Sequence, residues 1–194
     1  MTMRLVPVLI LAAAALDVTA CGSSPEPVYY TMAPKEGAPR AGWAHLIELR
    51  KPALAGYLDR AEIVSRVVAY RLRIASGDSW SEPLGDMIGR LLSDDLAARL
   101  PGSLVFTELS PIAADPDAIV SLDVERFDLG EEGFVVLVAE VTVERPTSHA
   151  PVASRRLVLK MAPAGPDTAS LVAAMSSLVG RLADVVASYL RTPE

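Results

Sequence analysis

The chain has 194 residues, 51% of them hydrophobic, and a formal net charge of −6 at pH 7. That length fits one domain, and that apolar share is enough for a globular core. The acidic balance, with no basic stripe to offset it, excludes a nucleic-acid partner, and it gives overall charge no part in bringing the chain to anionic lipid.

Attachment to a membrane has to come from elsewhere, and the N-terminus supplies it. Arg4 is a positive n-region and Leu5 to Leu16 an apolar h-region, too short for the roughly 18 residues of a spanning helix. Val18-Thr19-Ala20-Cys21 follows, and it resembles the box cleaved by the bacterial lipoprotein signal peptidase. Residues 1–20 therefore read as a lipoprotein signal peptide and Cys21 as the acylated residue. An ordinary signal followed by a chance cysteine fits the flanks, length and box less well. Removing residues 1–20 takes away one base and one acid, Arg4 and Asp17, so the charge stays at −6. Cys21 is the one cysteine, which leaves the mature chain no internal disulfide and no thiolate metal cluster. Gly22, where an aspartate tends to retain such proteins at the inner membrane, favours the outer membrane. Residues 21–27, rich in Gly, Ser and Pro, form a lipidated tether, and residues 28–194 form one domain.

Within that domain Val28 to Met32 reads as a short strand, and Ala44 to Arg50 alternates with His45, Ile47 and Leu49 on one side. Ile63 to Ala75 reads as one strand, with Val68, Tyr70, Leu72 and Ile74 on a face and Arg71 and Arg73 opposite. A helix is predicted from Pro83 to Leu100, started by Glu82-Pro83 and ended by Pro101-Gly102. Its stripe is Leu84, Met87, Ile88, Leu91, Leu92 and Ala98. Asp95 and Arg99, four apart in that stripe, read as an ion pair in preference to a functional site. Three strands come next: Ala118 to Leu129, Phe134 to Glu144 and Arg155 to Met161. The first puts Val120, Leu122 and Val124 together. The last two read as an antiparallel hairpin joined by Arg145 to Ser154. Phe134, Val136 and Val138 fall on the outward face, where they imply a partner or a lipid-like ligand. A second helix, Asp167 to Leu190, carries a broad apolar arc from Leu171 to Leu190, and Arg181 and Asp184 argue against a membrane span. Its back face of Ala173, Ser176, Ser177, Gly180, Ala183, Asp184 and Ala187 is either solvated or a close subunit contact. These elements predict an α+β, two-layer sandwich: a largely antiparallel sheet with two helices packed on one face.

No catalytic constellation emerges. The two histidines, His45 and His149, have no ligand at metal spacing, and there is no nucleophile elbow or phosphate-binding loop. Asp123, Glu125, Asp128, Glu131 and Glu132 read as a solvated edge, since an EF-hand spacing is absent. Neither an enzyme nor a cofactor is expected.

The order of segments is informative. Tyr29-Tyr30-Thr31-Met32-Ala33-Pro34 comes soon after Cys21, then Tyr57-Leu58-Asp59-Arg60-Ala61-Glu62-Ile63-Val64-Ser65-Arg66, then Tyr70-Arg71-Leu72. Trp80-Ser81-Glu82-Pro83-Leu84 leads into the helix that ends Leu96-Ala97-Ala98-Arg99-Leu100-Pro101, and Val124-Glu125-Arg126-Phe127-Asp128 comes later. This ordered set resembles the ABC-type transport auxiliary lipoproteins, the PqiC-like family, with Ala61 standing where that pattern has proline. The resemblance implies a periplasmic accessory subunit of a lipid transport system that supports outer-membrane integrity. The partners it implies are a mammalian-cell-entry-type (MCE) membrane protein and an ABC permease and ATPase, and it implies no catalytic residues. The competing class is a lipid-binding or outer-membrane assembly lipoprotein, which needs an apolar cavity between sheet and helices. A homo-oligomer stays open.

Overall fold

In a computed structural model, residues 26–112, 114–147 and 151–191 are described. Residues 1–25, with Cys21, lie outside them, as does His149. The elements run β1 (Val28–Tyr30), β2 (Leu46–Leu49), β3 (Ala53–Leu54), β4 (Glu62–Val68), β5 (Arg71–Trp80), α1 (Leu84–Arg99), β6 (Leu104–Thr107), β7 (Ala118–Leu129), β8 (Val135–Glu144), β9 (Pro151–Met161) and α2 (Thr168–Tyr189). They build the expected α+β fold, a 9-stranded sheet with two helices packed against it.

The sheet is mixed. Its long pairings, β4–β5, β7–β8 and β8–β9, are antiparallel. The short ones are parallel: β1 on β5, β2 on β6 and β7, and β3 and β4 on β7. β7 is the spine because it is long enough to take β8 along one edge and β2, β3 and β4 in turn along the other. The arms β2–β6 and β4–β5–β1 both lie on the side of β7 away from β8, at opposite ends of β7, and β9 is the edge beyond β8.

Alternation explains the core. Val120, Leu122 and Val124 of β7 and Val135, Leu137, Ala139, Val141 and Val143 of β8 all face the helices and are buried. α1 begins at Pro83, whose carbonyl accepts Met87 N–H at 3.0 Å, and packs Met87, Ile88, Leu91, Leu92 and Leu96 inward. Leu96 belongs to this stripe and Ala98 is exposed, which moves the sequence reading of the last turns by two residues. α2 is capped by Asp167, which accepts Ser170 N–H at 2.8 Å. That bond holds the Asp167 carboxyl below its usual range. α2 is long and apolar enough to cross a membrane by length and composition, and here it is packed on α1, β8 and β9.

Three expectations change. Ile63 to Ala75 is two strands, β4 and β5, turning at Ala69-Tyr70, and Tyr70 is 93% exposed. The small-residue face of α2 is covered within the chain. Ser176, Gly180, Ala183 and Ala187 are buried, Ser176 Oγ accepts Ala33 N–H at 3.2 Å, and Gly180 lies against Lys35. Small side chains are what allow the 33–36 segment and α1 to approach so closely. Finally, Val136 and Val138 have the outward parity expected of them, yet they are buried and only Phe134 is exposed. Val136 shares a shallow depression with Arg66, Arg126 and Lys160, whose long side chains lie over this part of the sheet.

Candidate functional site

Two polar clusters are built into the fold. The first centres on Arg99, which the last turn of α1 carries inward until 2% of it is exposed. Its Nε donates to Asp184 Oδ1 at 2.8 Å, and Nη1 donates to Lys35 O and Asp95 O, both at 2.9 Å. Nη2 donates to Gly180 O at 3.0 Å and Glu36 O at 3.4 Å. All the N–H groups of the guanidinium are thereby used. The Asp95–Arg99 pair expected from sequence is present at 3.9 Å, but Asp184 is the nearer carboxylate. Asp95 is fully buried; Oδ1 accepts Lys35 N–H at 2.7 Å, and Oδ2 has no hydrogen-bond partner among the described residues. Burial raises the Asp95 carboxyl above the ordinary aspartate value, against the pull of that N–H and of Arg99. The arrangement is a clamp that ties the 35–36 segment to both helices.

The second cluster centres on Asp128, also fully buried. Tyr57 Oη donates to Oδ2 at 2.8 Å, Arg66 Nη2 to Oδ2 at 3.3 Å, and Arg126 Nε to Oδ1 at 2.9 Å. Burial, then the bond to Asp128, push the Tyr57 hydroxyl up to about 12. Asp128 thus departs from the solvated edge assigned to it, whereas Asp123, Glu125, Glu131 and Glu132 are exposed. The burial of Asp128 comes from Tyr57, Arg66 and Arg126 lying over it, on the outer face to which a register shift between Val124 and Arg126 brings it. That shift reverses the parity of the strand, so Phe127 turns to the core and Asp128 to the side covered by Tyr57 and the two arginines. β4 meets β7 at the single pair Ser65–Leu129, so this cluster fixes the β4–β5 hairpin to the sheet.

His45 is exposed; its backbone N–H and that of Leu46 donate to Asp117 Oδ2 at 2.8 and 3.0 Å, holding that carboxyl below its usual range. Among the described residues no group of three or more His, Cys, Asp or Glu stands together as a metal site. Many of the exposed apolar side chains gather in the two arms of the sheet beside opposite ends of β7. Tyr29, Tyr70, Leu72 and Ile74 belong to β1 and the hairpin, while Leu104, Leu109 and Ile112 belong to β6 and the chain after it. The β6 side also borders an open groove of about 380 Å³ between Gly85–Ser93 of α1, Arg50–Pro52 and Val105–Ile112.

The family model described as the ABC-type transport auxiliary lipoprotein component matches residues 30–187, which is nearly all of this fold. The chain belongs to that family. No curated protein is similar enough in sequence to count as a match. Among solved structures, a crystal structure of an uncharacterised protein is 19% identical with a TM-score of 0.71, covering 84% of this chain and 97% of that one. Protein XCC0632 from Xanthomonas campestris, of family DUF330, is 18% identical with a TM-score of 0.67, covering 84% and 94%. These two share the fold of this chain. The PelC dodecamer from Paraburkholderia phytofirmans is more distant, at 14% identity and a TM-score of 0.48 over 81% and 94% of the chains. Membership makes the chain an auxiliary component of an ABC-type transport system and a lipoprotein of the cell envelope.

Proposed function

We propose that the chain is a noncatalytic, lipid-anchored subunit of an ABC/MCE-type system that moves lipid between membranes and supports outer-membrane integrity. In this reading residues 1–20 are removed, Cys21 takes the acyl chains, residues 21–27 tether the domain at the periplasmic face of the outer membrane, and the domain engages an MCE-type membrane protein. The family match across residues 30–187 carries the reading. The polar clusters add to it, because each buried charge is tied to structure: Arg99 to carbonyls of three segments, Asp128 to the residues that hold the hairpin.

The competing lipid-binding or assembly reading needs room between sheet and helices. That layer is occupied by one continuous cluster running from Val120 and Leu137 to Leu91 and Leu178, which favours docking over carriage. Several acyl chains on one cysteine anchor stably where a single chain does not. The test is Cys21→Ala in the native host. The variant is expected to fold, to leave the membrane fraction and to lose support of outer-membrane integrity. Full complementation by the released protein refutes the tethered reading, and stoichiometric lipid on the purified protein by mass spectrometry refutes pure docking.

A further inference from the structure

The turn of the β4–β5 hairpin stands clear of the body. Tyr70 at its tip is 93% exposed, and Leu72 and Ile74 on β5 are 37% and 48% exposed. Arg71 and Arg73 alternate with them and are also exposed. Both faces of β5 are therefore wet near the turn, while Trp80 at its far end is buried. A tyrosine with apolar neighbours and flanking arginines is the set of side chains that settles at the headgroup level of a bilayer. Glu131 and Glu132 border a depression that also takes in Ala69 of the turn, Arg66, Arg126 and Lys160, and Lys160 pairs with Glu132 at 3.4 Å.

The neighbouring strand gives this tip a direction. β1 runs parallel to β5, with Val28 opposite Asp78 and Tyr30 opposite Trp80. Going back along the chain from Val28 leads toward the turn, whereas going forward leads through buried Met32 into the core. Cys21 precedes Val28 by as many residues as Arg71 precedes Asp78. Seven residues of extended chain span about 23 Å in either case, so the tether is long enough to bring Cys21 level with Arg71 and beside Tyr70.

We propose that the 69–73 end of the hairpin is a membrane-contact site, seated in the headgroup layer of the leaflet that holds the acyl chains of Cys21. Tyr70 and Leu72 enter that layer, and Arg71 and Arg73 meet lipid phosphates. The site rests on the acylation of Cys21 and goes beyond it by fixing which end of the domain faces the bilayer.

The test uses full-length acylated protein in vesicles of phosphatidylethanolamine and phosphatidylglycerol, with and without brominated acyl chains. Tyr70→Cys supplies a thiol for a polarity-sensitive fluorophore, since the sulfur of Cys21 is tied up as the thioether to its diacylglyceryl group. Leu109→Cys, at an exposed position in the chain after β6, near the opposite end of β7 from the hairpin turn, is the reference. The label at Tyr70→Cys is expected to shift to the blue and to lose much of its emission to brominated lipid, while that at Leu109→Cys does neither. Water-like emission at Tyr70→Cys in protein that floats with the vesicles overturns the site and leaves the anchor standing. A blue shift without bromine quenching also overturns it, by assigning the tip to protein, such as a second copy. Protein that does not float and carries an unmodified Cys21 removes the anchor and this site together.

Discussion

Asp95 and Arg99 show how much a pair of residues can mean different things in one and three dimensions. Their spacing and place in an apolar stripe make an ion pair legible from sequence. The carboxylate that Arg99 approaches most closely, Asp184, lies 85 positions away, and the carbonyls of Lys35, Glu36 and Gly180 carry no side-chain signal at all. Because Asp95 is displaced from the guanidinium and desolvated, it holds its proton more tightly folded than unfolded. Its contribution is therefore most favourable below the ordinary aspartate value and declines as pH rises through the raised one. Asp95→Asn retains an oxygen for Lys35 N–H and abolishes that titration. Urea unfolding from about pH 3 to pH 7 should show the wild type losing stability relative to the variant across this window. A constant difference between the two would mean that Asp95 holds its proton equally tightly folded and unfolded.

Elements depart from their sequence reading where the chain turns or slips without a marker. Ala69-Tyr70 contains no glycine or proline, and the alternation of Val68, Tyr70, Leu72 and Ile74 runs straight through it, so one strand is the natural expectation. Tertiary pairing decides otherwise by folding β5 back on β4. β3 and β6 escape notice because two and four residues are too few to show a period. Within β7 the register shift after Val124 is equally silent, yet it puts Asp128 where it can join the hairpin to the sheet. Asp128→Ala removes the shared acceptor of Tyr57, Arg66 and Arg126. It should cost about 3 kcal/mol in urea unfolding, near the lower end for a buried pair because both arginines keep a route to water. Amide exchange should quicken in β4 and β5 more than in β8 and β9. An even change throughout would mean that Asp128 supports the whole core instead of the hairpin.

At the scale of the whole molecule, the hairpin and β6 arms of the sheet face different tasks. If the hairpin edge rests on the membrane, the β6 edge and its groove remain for the transport partner. Leu109, 76% exposed beside that groove, is a direct probe. Leu109→Glu should leave the thermal midpoint unchanged, because the side chain buries little, and should abolish co-purification with the transport partner. Unaltered co-purification would move the partner to another surface.

The sequence by itself determined the fold class, both helices, the inward faces of β8, β9 and of β7 as far as Val124, and the family, since each of these is written in local periodicity or in ordered motifs. Tertiary structure alone decided that the small face of α2 belongs to α1 and the 33–36 segment, that Asp128 is buried, and that β1 runs beside β5 toward the hairpin turn. Those outcomes depend on strand register and on contacts between residues far apart in the chain. Such contacts are selected by close packing and by the need to satisfy buried polar groups, and no short window of sequence contains them.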